Sequence, residues 1–146
     1  MSYPMPQTID LPFYGGNRRI LKRDAMVIKV TCDNGLVGYA PGPAHERAKK
    51  EINGVIRQFL LQKDPRTFRN FDLELSPETT KTYYSVEIAL MDLIGKFEGC
   101  PISELLGGRC RDNIKLYGSA GMYMSPEGYA AEAAAIKDMG FPAYKM

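Results

Sequence analysis

The chain has 146 residues, 45% hydrophobic and 25% charged, a mixture that suits one ordinary globular domain and excludes wholesale disorder. Its 19 basic and 17 acidic residues are interspersed and leave a formal net charge of +2, so no basic stripe marks nucleic acid as a partner. No window approaches the roughly 20 apolar residues of a membrane span. The N-terminus MSYPMPQTID lacks the basic and then apolar order of a signal peptide. Cys32, Cys100 and Cys110 are odd in number and show no C-x-x-C spacing, which points to a reducing, cytoplasmic setting without a disulfide framework or zinc site.

Met1 to Asp24 holds Pro4, Pro6, Pro12 and Gly15-Gly16 with no sustained period, and reads as an extended, partly mobile segment. Met26, Ile28 and Val30 then alternate with Val27, Lys29 and Thr31 at the two-residue period of a strand. Asn34-Gly35 predicts a type I′ turn, whose two central residues both need φ above zero, with Leu36 to Ala40 returning. Pro41-Gly42-Pro43 is expected to end the sheet. A helix follows, with Ala48, Ile52, Val55, Ile56, Phe59 and Leu60 along one stripe. Gly54 lies inside it, at a cost of about 1 kcal/mol relative to alanine, for which close packing against a neighbour is a sufficient reason.

Asp64-Pro65 supplies a cap and a first-turn proline for a short helix carrying Phe68 and Phe71. The longest helix is expected from near Ser76-Pro77 to Glu98, stopping at Gly99. Tyr83, Val86, Leu90, Leu93, Ile94 and Phe97 form its stripe, widened by Ile88, Ala89 and Met91, so it should be covered on more than one side. Pro101 to Leu106 adds a turn or two. Ile114, Leu116 and Gly118 predict a short strand. Ser125-Pro126-Glu127 starts a helix that Gly140 ends, and Phe141 to Met146 begins another strand. A strand, a helix and a strand at this spacing make a βαβ unit with parallel pairing. Two parallel strands are not stable alone, so the unit is expected to open a larger α/β array.

Four segments in order resemble the mandelate racemase and muconate lactonizing enzyme group of the enolase superfamily. They are Val30 to Tyr39 (VTCDNGLVGY), Val86 to Lys96 (VEIALMDLIGK), Pro101 to Gly108 and Gly140 to Lys145. The resemblance implies an α+β fold, with a capping domain of antiparallel sheet and helical bundle over 1–112. The start of a (β/α) barrel of the TIM type follows over 113–146. It also implies a Mg²⁺-dependent lyase or isomerase that removes the proton next to a carboxylate. The substrate class is a small carboxylate, with an acid sugar ahead of others, and the reaction is dehydration, racemization or cycloisomerization. A homo-oligomer is expected.

On this resemblance Lys145 matches the first basic position of the family's catalytic motif on the second barrel strand. The second position and the acidic metal ligands have no counterpart here, so the chain alone is expected to bind no metal and to be inactive. Phe13, Tyr14, Asn17 and Arg18 match the mobile cap loop that closes over substrate, and His45 lies where the second cap loop meets the first helix. Each has a plainer reading: Lys145 as a strand-end lysine, the loop as a glycine-rich surface turn, His45 as a solvated residue at a helix start. Glu87 and Asp92 read as structural carboxylates. Tyr117 and Gly118 to Gly121 suit either close approach to a substrate or a simple loop. The alternative to an enzyme fragment is a non-catalytic, cap-like interaction module.

Overall fold

A computed structural model describes residues 1–13, 16–121 and 124–146, leaving the side chains at 11–18 outside the description. The chain forms two compact units, one of Met1–Tyr3 and Asp24–Arg109, the other of Pro4–Arg23 and Cys110–Met146.

The N-terminal segment is extended as expected, but it is organised: β1 (Ser2–Phe13) and β2 (Gly16–Asp24) pair as a two-stranded sheet. No period betrayed it, because the described side chains of these strands are nearly all exposed and need no alternation of apolar residues. On this hairpin Arg19 meets Asp10 at 2.8 Å.

In the first unit β3 (Met26–Thr31) and β4 (Val37–Gly42) are antiparallel, with Ile28 opposite Ala40 and Val30 opposite Gly38. Ile28, Gly38 and Ala40 are buried, so the predicted alternation holds. The turn differs from type I′. Gly35 N donates to Cys32 O at 3.0 Å and Cys32 N to Leu36 O at 2.9 Å, closing a three-residue loop around Asp33, Asn34 and Gly35. Gly35 takes φ +83°, and Gln62 is the only described non-glycine residue at positive φ. This is the type I turn with a bulged left-handed glycine. The Asn34 carboxamide accepts from Leu36 N at 3.0 Å, a bond that holds the longer loop. β4 also continues through Pro41 to Gly42, since Pro41 opposes Val27 at a position that donates nothing to β3.

The predicted first helix is three pieces: α1 (Glu46–Glu51), a wide π turn (Ile52–Ile56) and α2 (Arg57–Leu60). At Gly54 the backbone leaves the helix, with φ −102° and ψ −105°. A Cβ on Gly54 would meet nothing within 4 Å, so close packing does not explain this glycine. The wide turn adds a residue to the repeat and rotates Val55 outward, leaving it 49% exposed, while Ala48 and Ile56 stay buried. Asp64 caps the 3₁₀ turn Pro65–Asn70, which buries Phe68.

Helix α3 (Pro77–Glu98) starts at Ser76, whose hydroxyl accepts from Thr79 N, and ends at left-handed Gly99. Tyr83, Val86, Ala89, Leu90, Leu93 and Ile94 are buried along it and form the core with Ile28, Ala40 and Ile56. Ile88 and Phe97 are 46% and 51% exposed, so the helix buries one broad face and is not covered all round. Tyr39 N donates to Asp92 Oδ2 at 2.8 Å, and Lys96 Nζ reaches Asp92 Oδ2 at 2.6 Å and Val37 O at 3.0 Å. These bonds tie α3 to the outer edge of β4. Glu51 joins α1 to α3 by accepting from both Arg47 and Thr82. Helix α4 (Ile102–Leu105) follows, and Arg69 Nη2 donates to Leu105 O at 2.7 Å.

In the second unit β5 (Gly118–Ser119), α5 (Pro126–Asp138) and β6 (Tyr144–Lys145) form the parallel βαβ unit. The strand expected from Ile114 is shorter than its pattern: Ile114 and Leu116 are exposed and outside it. Gly118 N donates to Ala143 O at 2.9 Å and Ala120 N to Lys145 O at 3.1 Å at the two ends of this short pair.

Candidate functional site

Lys145 lies on β6, with Ser119 of β5 as its register partner. Its direction follows from its neighbours. The Tyr144 hydroxyl donates to Glu132 of α5 at 2.6 Å. A Cβ on Gly118 would stand 2.5 Å from Cγ2 of Ile136, also on α5. Gly118 and Tyr144 therefore face the helix. Side chains alternate across a strand, so Ser119 and Lys145 occupy the opposite face, where Lys145 is exposed.

The hydrogen bond to Glu132, then burial and the charges of Glu132 and Tyr129, push the Tyr144 hydroxyl up to about 12. It stays protonated at neutral pH and braces β6 against α5. A Cβ on Gly121 would sit 2.6 Å from the Tyr144 oxygen, so the turn after β5 approaches this brace closely. The Tyr144–Glu132 contact was not visible in the sequence, since nothing local links two residues on different elements.

The cap-loop candidates Phe13, Tyr14, Asn17 and Arg18 lie outside the described residues or side chains. His45 is the N-cap of α1: its Nδ1 accepts from Ala48 N at 3.1 Å. The ring is exposed at the helix start, the place its plainer reading gives it. Asp92 is bonded to backbone, as the structural reading of that carboxylate expects, with Lys96 as its charge partner. The Lys96 bond and then the Tyr39 N–H hold its carboxyl below the usual range. Cys32 and Cys100 are free thiols, and burial followed by the nearby Asp33 and Asp64 pushes Cys32 up, away from the reactive thiolate.

Among the described residues, no three or more His, Cys, Asp or Glu side chains gather closely enough to hold a metal ion. A hard cation such as Mg²⁺ needs converging oxygen ligands, and these residues do not fit that need. No described helix is long and apolar enough to cross a membrane.

A small antiparallel sheet docked on a long central helix, in an α+β chain, is the architecture of a capping domain. The profile of the mandelate racemase / muconate lactonizing enzyme N-terminal domain matches residues 6–107. The chain belongs to this family, within the enolase superfamily. It is 30% identical over 134 residues to the D-gluconate/D-galactonate dehydratase of Picrophilus torridus, covering 82% of this chain and 34% of that protein. It is 29% identical over 120 residues to the D-galactarolactone cycloisomerase of Agrobacterium fabrum, covering 75% and 31%. A Bordetella bronchiseptica RB50 protein assigned to the mandelate racemases, crystallised with 2-oxoglutarate/phosphate, superimposes with a TM-score of 0.82. It is 27% identical and covers 98% of this chain and 40% of that one. The chain thus spans about a third of the curated relatives it matches.

Proposed function

We propose that this chain is the substrate-covering part of a Mg²⁺-dependent enolase-superfamily enzyme that removes the proton α to a carboxylate. Residues 1–112 act as the cap, and 113–146 open the (β/α) barrel. The substrate is a small carboxylate, an acid sugar first among them. This choice is supported by relatives that include a D-gluconate/D-galactonate dehydratase and a D-galactarolactone cycloisomerase. The enzyme works as a cytoplasmic homo-oligomer, binding neither nucleic acid nor membrane. Mg²⁺ would supply charge stabilisation, but the described residues of this chain do not hold it.

The observation that carries this reading is Lys145 on the strand face turned away from α5. In a barrel whose helices lie outside, that face is the interior. There Lys145 is assigned to the basic pair that serves proton abstraction. Phe13, Tyr14, Asn17 and Arg18 are assigned to substrate closure, and His45 to contact with substrate.

The test has two arms. The purified chain, assayed against a panel of acid sugars with Mg²⁺, is expected to give no turnover, and metal-dependent turnover would overturn the division of labour proposed here. In a full-length enzyme carrying this cap and barrel start, Lys145→Met should lower kcat by at least about a hundredfold with the fold intact by circular dichroism. Unchanged kcat would remove Lys145 from the site.

A further inference from the structure

Helix α5 carries Tyr129, Glu132, Ala133 and Ile136 along one half-buried stripe at the helical period. Packing on the strands is reason enough for the tyrosine, the alanine and the isoleucine. Glu132 needs another reason, because a carboxylate in a covered stripe gives up part of its hydration and must find a donor. The donor is the Tyr144 hydroxyl of β6, at 2.6 Å. One turn further along, Ile136 lies against Gly118 of β5, where a Cβ would stand 2.5 Å from its Cγ2. A single face of α5 thus straddles both strands, resting on β5 through Ile136 and bonded to β6 through Glu132.

Main-chain and side-chain contacts fix different properties of β6. Gly118 N donates to Ala143 O and Ala120 N to Lys145 O, which sets the register and spacing of the strand against β5. Main-chain bonds still allow a strand to roll somewhat about its own axis, and that roll aims its side chains. The phenol of Tyr144 is a long lever on the roll, pinned at its tip by Glu132. The chain after β5 also closes on it: a Cβ on Gly121 would stand 2.6 Å from the Tyr144 oxygen and 2.8 Å from Cα of Met146. Lys145 is the next residue, on the opposite face of the strand. A roll that carries Tyr144 off α5 therefore swings the Lys145 side chain as well.

We infer that Glu132 and Tyr144 are positioning residues for the proposed proton abstraction, setting through their hydrogen bond the direction in which Lys145 enters the barrel interior. The inference rests on the reading of Lys145 given above. Both residues act through Lys145 and not on substrate, since their contact lies on the helix side of the strand.

The test measures kcat and KM in a full-length enzyme carrying this cap and barrel start, with Lys145→Met beside the variants. Tyr144→Phe and Glu132→Leu should each lower kcat by at least about tenfold, with KM within about threefold of the parent. The double variant should lose no more than either single one, because each removes the same bond. Glu132→Gln keeps an acceptor for the hydroxyl and should recover most of the loss. Amide exchange at Ala120 should stay within about threefold of the parent throughout, since the backbone pairing remains. Unchanged kcat in Tyr144→Phe beside a large loss in Lys145→Met would overturn this inference and leave the role of Lys145 standing. Unchanged kcat in Lys145→Met would overturn both. An equal loss in Glu132→Gln and Glu132→Leu would also overturn it. So would exchange at Ala120 faster by about tenfold in Tyr144→Phe, which would show a contact that merely holds the strands together.

Discussion

Gly38 of β4 lies against the carbonyl of Ala89 on α3 so closely that a Cβ at position 38 would stand 2.0 Å from that oxygen and 2.8 Å from Leu93 Cβ. The sheet rests on the helix at this point, and the core around Ile28, Ala40 and Ala89 depends on that closeness.

Gly38→Ala should therefore force the hairpin off α3. The obstacle is backbone, which cannot rotate away as a flexible side chain would. A loss of roughly 1–3 kcal/mol is expected from overpacking of this kind, read from urea unfolding. Gly35→Asn, at the solvent-exposed turn, should cost far less, because an asparagine tolerates the left-handed region and nothing lies within 4 Å of a Cβ there.

Asp92 joins the same two elements through charge. Its carboxyl is held low in the folded state, so its contribution to stability is fully present above the unfolded value of about 4. That contribution disappears as pH falls through the lowered folded value. Asp92→Asn keeps an acceptor for Tyr39 N–H but should flatten this acid limb in melts taken from neutral pH downward. Asp92→Ala leaves this exposed amide to water and should cost no more than about 1 kcal/mol at neutral pH. An unchanged acid limb in the asparagine variant would show that the pair contributes nothing.

The Tyr83 hydroxyl is buried without a hydrogen-bond partner among the described residues, and burial, aided by the charge of Glu87, pushes it up to about 12. A raised value means stability fully present below pH about 10, the unfolded tyrosine value, and lost as pH rises toward the folded one. Tyr83→Phe removes an unsatisfied polar atom while keeping the edge-on contact of the ring with Phe59, whose centroid is 5.9 Å away. Thermal melts should show it as stable as the parent or up to about 1 kcal/mol better, with less loss at alkaline pH.

His45 is a cap whatever else it does. His45→Ala should cost about 1 kcal/mol of stability, and His45→Asn should restore most of it by accepting from Ala48 N. In a full-length enzyme, a rise in KM that persists in the asparagine variant would reveal a separate contact with substrate.

Most elements could be read from the chain because their causes are local. Alternation in Met26 to Thr31, the caps at Asp64, Ser76 and Ser125, and the apolar stripe of α3 all act over a few residues. Even the structural character of Asp92 followed from its place on a helix. Its partner Tyr39, 53 residues away, did not.

Other features depend on contacts between distant segments. The hairpin loop around Gly35 became three residues long because cross-strand bonds chose the register, and Asn34-Gly35 alone permits either turn. Ile88 and Phe97 were apolar enough for burial, yet burial needs a neighbour as well as a pattern. The direction of Lys145 came from Tyr144 reaching Glu132 and Gly118 meeting Ile136. The residue order established the kinds of local structure and the family; the three-dimensional packing decided which faces are covered. Periodicity is a property of one segment, whereas a covered face or a closed edge is a property of two.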